Sequence, residues 1–298
     1  MRPIWALAPA RHPACGVDVE APWGARHNAA ASPPGRHIGD ALKLATWNVN
    51  SLTVRLGQVE EWIKKEKPDL LLLQETKQEN IKFPHEAITA LGYNSIHNGQ
   101  KTYNGVAIIS KYELLDIQNN IPDFEDDQKR MIAATVNTSH GKIRVVCVYV
   151  PNGQSVGSDK YLYKLDWLKH FTLWLKNEML SYPDIVIAGD FNIAPQDIDC
   201  HDPEAWKNNV LVSQKEREAF QKIIDLGLAD SFRTINPSEI QYSWWDYRMA
   251  GFRRNLGMRI DHILTNKNLT NKIKMSAIDK EPRKSERPSD HTPVMIEI

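Results

Sequence analysis

From Leu42 onward, short apolar runs alternate with longer stretches in which hydrophobic residues recur every three or four positions. Leu42–Trp47 has the length and character of a buried strand. Val54–Lys65 sets Leu56, Val59, Trp62 and Ile63 at helical spacing, and Pro68 stops it. Asp69–Gln74 (DLLLLQ) has no polar face, which predicts a strand covered on both sides. Val106–Ser110, Met131–Val136 and Ile143–Val150 predict further strands. Lys160–Leu180 predicts a long helix with Leu165, Leu168, Phe171, Leu175 and Met179 along one side. Ile185–Ala188 reads as a strand, Lys215–Leu226 as a helix, and Arg259–Leu264 and Val294–Ile298 as later strands. Strands outnumber the helices available as crossovers, so a simple doubly wound parallel sheet does not fit. The pattern predicts an α/β (α+β) fold in which two sheets pack face to face with helices outside. No internal repeat is visible.

Residues 1–41 follow a different rule. They hold six of the 17 prolines and no lysine, and neither strand nor helix periodicity survives. This stretch is expected to be disordered, or a spurious extension upstream of the true start, with the folded domain running over 42–298. A transit peptide is the functional alternative, since the stretch contains arginine and few acids. The 298 residues carry 37 basic and 37 acidic side chains, so any contact with nucleic acid must come from a local patch. Cys15, Cys147 and Cys200 are odd in number and far apart, which predicts reduced thiols in a cytosolic protein. No run reaches the length of a membrane helix.

The chemistry gathers where strands end. Apolar runs lead directly into Asn48-Val49-Asn50, Gln74-Glu75-Thr76, Asp190-Phe191-Asn192 and Asp261-His262. A fifth polar segment, Ser289-Asp290-His291, precedes the last strand. Each has a structural reading alone: Glu75 as a helix cap, Asp190 and Asn192 as turn residues, Asp290 as an N-cap beside a surface histidine. Taken together, carboxylates delivered repeatedly by hydrophobic strands imply one shared site, because unpaired carboxylates are costly to desolvate. With carboxylates and amides but no adjacent thiolates and no H-E-x-x-H, the donors favour Mg²⁺ or Mn²⁺ over zinc.

In order and spacing, WNVN, LQET, YVPNG, GDFN, WWDYR, RIDHIL and SDH-x-P resemble the exonuclease III / AP-endonuclease family, over nearly everything from Leu42 to Ile298. The resemblance implies a DNase I-like four-layer α/β sandwich, with two packed mixed β-sheets flanked by helices. It implies base-excision-repair hydrolysis of the phosphodiester 5′ to abasic sites, and removal of nucleotides or blocking groups from 3′ ends of duplex DNA. One or two Mg²⁺ ions are implied, with Mn²⁺ as a substitute. Glu75 would be the principal metal ligand, helped by Asn48 and Asp290, with Asp190 and Asn192 at the same shell. Asp190 would be general base or acid, Asn192 would hold the scissile phosphate with Asn152 close by, and Tyr149 would bond near it. His291 would contact the phosphate, oriented by Asp261. A monomer located in the cytoplasm, nucleoid-associated if bacterial, is expected.

Four arginines (Arg248, Arg253, Arg254, Arg259) and no acid lie between Tyr247 and Arg259, interleaved with aromatic residues. We read this segment as facing DNA, with arginines on phosphates and an apolar face for a sugar or flipped nucleotide. By resemblance Trp244, Met258 and Ile260 would line an abasic pocket, with Asn50 and Arg248 also at the DNA; core packing is the structural reading of the pocket residues. Residues 267–287 hold seven basic and three acidic side chains and are read as a solvated face. Cys200-His201 is read as a loop pair, Trp167 and Trp174 as core or interface, and His85, His97, His140 and His170 as structural or surface residues. Two other functions remain open at this point: a phosphoesterase of the same superfamily acting on a phosphoinositide, sphingomyelin or RNA tail, and a binding protein with a decayed site.

Overall fold

The computed structural model describes residues 41–298. The expectation for residues 1–41 therefore falls, apart from Ala41, outside the described residues. The elements begin with β1 (Lys43–Asn48), α1 (Leu52–Glu66), β2 (Leu70–Gln74), α2 (His85–Ala90), β3 (Asn94–Asn98), β4 (Val106–Ser110) and β5 (Leu115–Asn119). They continue through β6 (Met131–Thr138), β7 (Gly141–Tyr149), α3 (Asp159–Ser181), β8 (Ile185–Asp190), α4 (Pro203–Trp206), α5 (Gln214–Ile224) and β9 (Leu228–Asp230). The chain closes with α6 (Ser231–Ile235), β10 (Trp244–Trp245), β11 (Gly257–Met258), β12 (Asp261–Asn266), α7 (Lys267–Thr270), β13 (Met275–Ile278) and β14 (Val294–Glu297).

Twelve strands form two six-stranded sheets, ordered β13-β14-β1-β2-β4-β3 and β5-β6-β7-β8-β12-β9. Each sheet is mixed in the same way. Its only parallel pair is β1 with β2, or β7 with β8; the other neighbours are antiparallel. A parallel pair needs a crossover, and α1 and α3 supply the two.

The side-chain pattern explains the layering. On β2, Leu70 and Leu72 face the other sheet, where they meet Val145, Cys147, Val186 and Ile263. Leu71 and Leu73 point the other way, into a cluster with Val59, Trp62 and Ile63 of α1 and Ile88 of α2. The second sheet repeats this arrangement. Val146, Val148, Ile185 and Ile187 leave the central core and pack on Trp167, Leu168, Phe171 and Leu175 of α3 and Phe220 and Ile223 of α5. The result is the expected helix–sheet–sheet–helix sandwich. Both sheets are covered on both faces, which is why DLLLLQ carries no alternation.

The ends of β8 and β12 differ from the sequence reading, and some strands are additional to it. β8 continues through Gly189 to Asp190, because β12 pairs Asp261 with Asp190 and His262 with Gly189. β12 begins at Asp261, not Arg259: the backbone N–H groups of Ile260 and Asp261 both donate to Ser243 Oγ, at 3.1 Å each. β3, β5, β9 and β13 were not expected at all. They are outer strands of their sheets, with half-exposed sequences such as NSIHN and LDIQN that lack an apolar run.

Candidate active site

The registers bring the polar strand ends together. Tyr149 lies opposite Asp190 across β7 and β8, and Asp190 lies opposite Asp261 across β8 and β12. On the other sheet Asn48 ends β1 beside Gln74, which puts Glu75 one residue further at the same edge. Asn48 joins the sheets: its amide donates to Glu75 Oε1 and to Asp190 Oδ2, both at 2.9 Å. Tyr149 also donates to Glu75 Oε1 at 2.9 Å. His291 sits just before β14 and points its Nδ1 at Asp261, 2.9 Å from Oδ2, with Nε2 3.7 Å from Asp190 Oδ2.

Local backbone makes these positions possible. Glu75 has φ 51 and Lys77 φ 54, left-handed conformations that non-glycine residues seldom adopt. The loop before β4 holds them there, as Thr76 N–H donates to Gly105 O at 3.1 Å and Lys77 N–H to Asn104 O at 2.9 Å. Asn192 has φ 50, a conformation asparagine tolerates, and its N–H donates to Asp190 Oδ1 at 2.8 Å. Gly189 answers a different demand. A Cβ there would meet the Val148 carbonyl oxygen at 1.9 Å, so the close approach of β7 and β8 beside Asp190 admits only glycine.

Charges in this site are tuned by burial and by each other. Burial is the largest influence on Asp190, and with Asp261 and Glu75 nearby it lifts the carboxyl to about 7. Burial disfavours a charged His291, but Asp261 and Asp190 outweigh it and raise the imidazole to about 10. Burial likewise works against ionised Glu75, yet Lys77, 2.9 Å from Oε2, and Asn48 keep it below the usual carboxylate range. Burial and then Glu75 push the Tyr149 hydroxyl well above its ordinary value, so it stays protonated and able to donate. At neutral pH the site holds an imidazolium, a low-lying carboxylate and a carboxyl near its midpoint.

Asn48, Glu75, Tyr149, Asp190, Asn192, Asp261 and His291 thus form one connected group. Asn192 Nδ2 donates to Val150 O at 3.0 Å, while its Oδ1 accepts from Asn152 Nδ2 at 3.1 Å. Asp290 is attached at the side, accepting from Asn50 Nδ2 at 2.9 Å and from Trp244 Nε1 at 3.0 Å. Trp244 is half-buried. Met258 and Ile260 are 0% and 1% exposed, inside a small apolar cluster with Ala194, Cys200 and Leu211 that Trp244 edges. Arg248 is exposed and paired with Asp246.

One expectation fails. Arg259 does not face solvent or DNA: it is 1% exposed, 2.8 Å from both Asp199 and Asp230. Two carboxylates compensate its burial, so three arginines, not four, stand outside. Trp245 is likewise internal, edge-on to Phe252, leaving Tyr247 and Met249 as the exposed apolar side chains of the segment. Sequence reasoning also missed Lys77 and Arg130. Lys77 bridges Glu75 and Asn50; its place two residues after Glu75 was the available signal. Arg130 lies 4.8 Å over the Tyr149 ring, and no sequence signal linked the two. Among the described residues, the His, Cys, Asp and Glu side chains able to hold a metal together are Glu75, Asp190 and His291, with ligand atoms within 4.8 Å of one another. Cys200 and His201 are not part of that trio.

Residues 45–291 match the model of the endonuclease/exonuclease/phosphatase family. Exodeoxyribonuclease III of Haemophilus influenzae is 37% identical over 266 residues, covering 86% of this chain and 100% of that one. A 3′ phosphatase from Neisseria, solved with a product DNA hairpin, superposes with TM-score 0.84 at 45% identity, over 87% of this chain and 99% of that one. An AP endonuclease from Archaeoglobus fulgidus gives 0.82 at 40% identity, over 86% and 98%. With the two-sheet sandwich and the acid–imidazole cluster at its edge, these likenesses show that the chain belongs to the endonuclease/exonuclease/phosphatase family, in its exonuclease III / AP-endonuclease branch of DNA-repair nucleases.

Proposed function

We propose that residues 42–298 form a catalytic domain that hydrolyses the phosphodiester 5′ to abasic sites and clears nucleotides or blocking groups from 3′ ends of duplex DNA. Its working ion is Mg²⁺, with Mn²⁺ able to substitute. The observation that carries this reading is the meeting of Glu75, Asp190 and His291 within 4.8 Å, though they stand far apart in the chain.

The residues present fit a hard divalent cation. Glu75 and Asp190 both direct oxygens at the Asn48 amide, and two carboxylates so close together and largely buried call for a positive partner. Their donors are oxygen, without a thiolate. Glu75 would be the main ligand of one or two ions, with Asn48, Asp190, Asn192 and Asp290 completing the shell; bound there, Mg²⁺ would offset charge on the phosphate oxygens.

The chain's own groups divide the remaining work. Asp190, lifted to about 7, takes a proton from the attacking water. His291, kept as imidazolium by Asp261, donates from Nε2 to a phosphate oxygen, an electrostatic contribution present before the reaction starts. Tyr149 donates near the same phosphate, and Asn192 with Asn152 holds it. Asn50, Trp244 and Arg248 face the DNA, and Met258 and Ile260 back the abasic pocket. The names of the similar proteins, all DNA enzymes, favour DNA over lipid, inositol or RNA-tail substrates. We further propose a monomer acting in the cytoplasm, nucleoid-associated if the source is bacterial. No described helix is long and apolar enough to cross a membrane.

A second reading weights the 3′-end activity over abasic incision. The burial of Met258 and Ile260 favours it, because a pocket wall must be reachable. One experiment addresses both: duplexes with an abasic analogue or a recessed 3′-phosphate are incubated with Mg²⁺ or with EDTA. Asp190→Asn is expected to lose at least about 100-fold in kcat on either substrate, as removal of a proton-transfer group should. Cleavage undiminished by EDTA would refute the metal assignment, and the ratio between substrates measures the bias.

A further inference from the structure

The geometry points to Lys164 as a positioning residue that sets the spacing of the two substrate-facing amides, Asn152 and Asn192. Lys164 lies on α3 and is 0% exposed, an unusual place for an ammonium group. Its Nζ donates to Asn192 O at 2.6 Å and to Asn152 O at 3.2 Å, and pairs with the equally buried Glu216 of α5. The two carbonyls belong to different loops, one after β7 and one after β8, whose side chains meet through the Asn152–Asn192 bond. A single cation therefore ties both backbones beneath the amide pair. Gly153 makes room for it: a Cβ there would stand 3.2 Å from Lys164 Cδ, at φ +94.

Neighbouring carbonyls follow the same rule. Ile193 O accepts from His262 Nε2 at 2.9 Å, and Ala194 O from Arg217 Nε at 3.1 Å. Three successive carbonyls after Asp190 are thus held by basic side chains from α3, β12 and α5. Only Lys164 also reaches the second loop. Glu216 accepts from Leu211 N and Ser213 N, which anchors the far side of the ion pair. Lys164 touches neither expected substrate nor metal, so it acts through the two asparagines. This inference rests on the proposed role of Asn152 and Asn192 at the phosphate.

The test uses the full chain. Wild type, Lys164→Met, the paired Lys164→Met/Glu216→Gln, Asn152→Ala and Lys164→Met/Asn152→Ala are assayed with Mg²⁺ on the abasic-analogue duplex. Thermal unfolding of each reports whether it is folded. We expect the folded paired variant to lose roughly 10- to 100-fold in kcat with KM nearly unchanged, the size of effect that a small misplacement produces. The Lys164→Met and Asn152→Ala losses should combine to less than their product, because both disturb one element. In isotope-labelled, metal-free protein, the side-chain amide resonances of Asn152 and Asn192 should both shift in the paired variant. A folded paired variant with wild-type kcat, or losses that multiply, would overturn the proposal. So would failure of both Lys164→Met and Lys164→Met/Glu216→Gln to fold, which would assign the lysine to stability alone. Wild-type protein inert on every DNA substrate would instead remove the proposed function itself, whatever the Lys164 variants do.

Discussion

At the scale of single residues, Asp261 and His291 show how a buried carboxylate controls its neighbour. Asp261 is 0% exposed and touches the imidazole with both oxygens, so its main effect is to stabilise the charged ring against burial. Asp261→Asn should let burial dominate and bring His291 down from about 10, toward or below the ordinary imidazole value. The sign is fixed by the charge removed. NMR titration of the metal-free protein should show His291 losing its proton several pH units earlier in the variant; an unmoved titration would refute the assignment. The same raised value predicts that stability from the His291 pair is complete below the unfolded value of 6.5 and is lost progressively as pH rises from there through about 10. These two residues were legible in the sequence because the family pattern resembles RIDHIL and SDH. Lys164 was not: a lysine on an amphipathic helix looks solvent-facing until the loops that fold over it are known.

At the scale of elements, the strand ends and the loops that hold them carry the function. The loop between β3 and β4 fixes Glu75 from behind. Its Gly105 O accepts from Thr76 N–H, and His97, within β3, adds a second hold: Nε2 lies 2.8 Å from Thr76 Oγ1 and the ring stacks on Phe83. Burial depresses His97 to about 4. The folded protein therefore binds fewer protons here than the unfolded chain. Stability is complete above an unfolded value near 6.5 and is lost as pH falls toward 4. The loss is at most about 3 kcal/mol. His97→Gln should keep the Thr76 contact and remove this slope, so urea unfolding at pH 7 and pH 4.5 should differ less in the variant than in wild type. Equal differences would show that His97 titrates freely. The sequence marked His97 only as a structural or surface residue, and β3 itself went unseen. An outer strand with few apolar side chains offers no periodicity to read. The buried central strands β1, β2, β4, β6, β7 and β8 were all legible, because a strand covered on both faces must be apolar nearly throughout.

At the scale of the molecule, the sandwich brings together groups that the chain keeps far apart. Asn48 and Asp190 come from different sheets, yet one hydrogen bond joins them at the rim of the interface. A divalent ion at that rim would bridge the sheets and bind only the folded state. Mg²⁺ at a hundred times its dissociation constant should then add about 2.7 kcal/mol, a rise of roughly 5–10 °C in Tm for a domain of this size. The rise should vanish on adding EDTA and be absent in Glu75→Ala. A wild-type Tm indifferent to Mg²⁺ would count against the site.

Read alone, the sequence determined the layered architecture, the positions of the central strands and the identity of the polar residues at their ends. Burial on both faces and the hydrophobic period are local properties that the chain displays directly. Tertiary structure alone decided which charges are inside. Arg259 sits in a run that looks basic and exposed, but two aspartates from distant segments meet it in the interior. The same holds for Lys164 and Glu216. The stability of a buried charge depends on partners brought by the fold, and no window of sequence contains them.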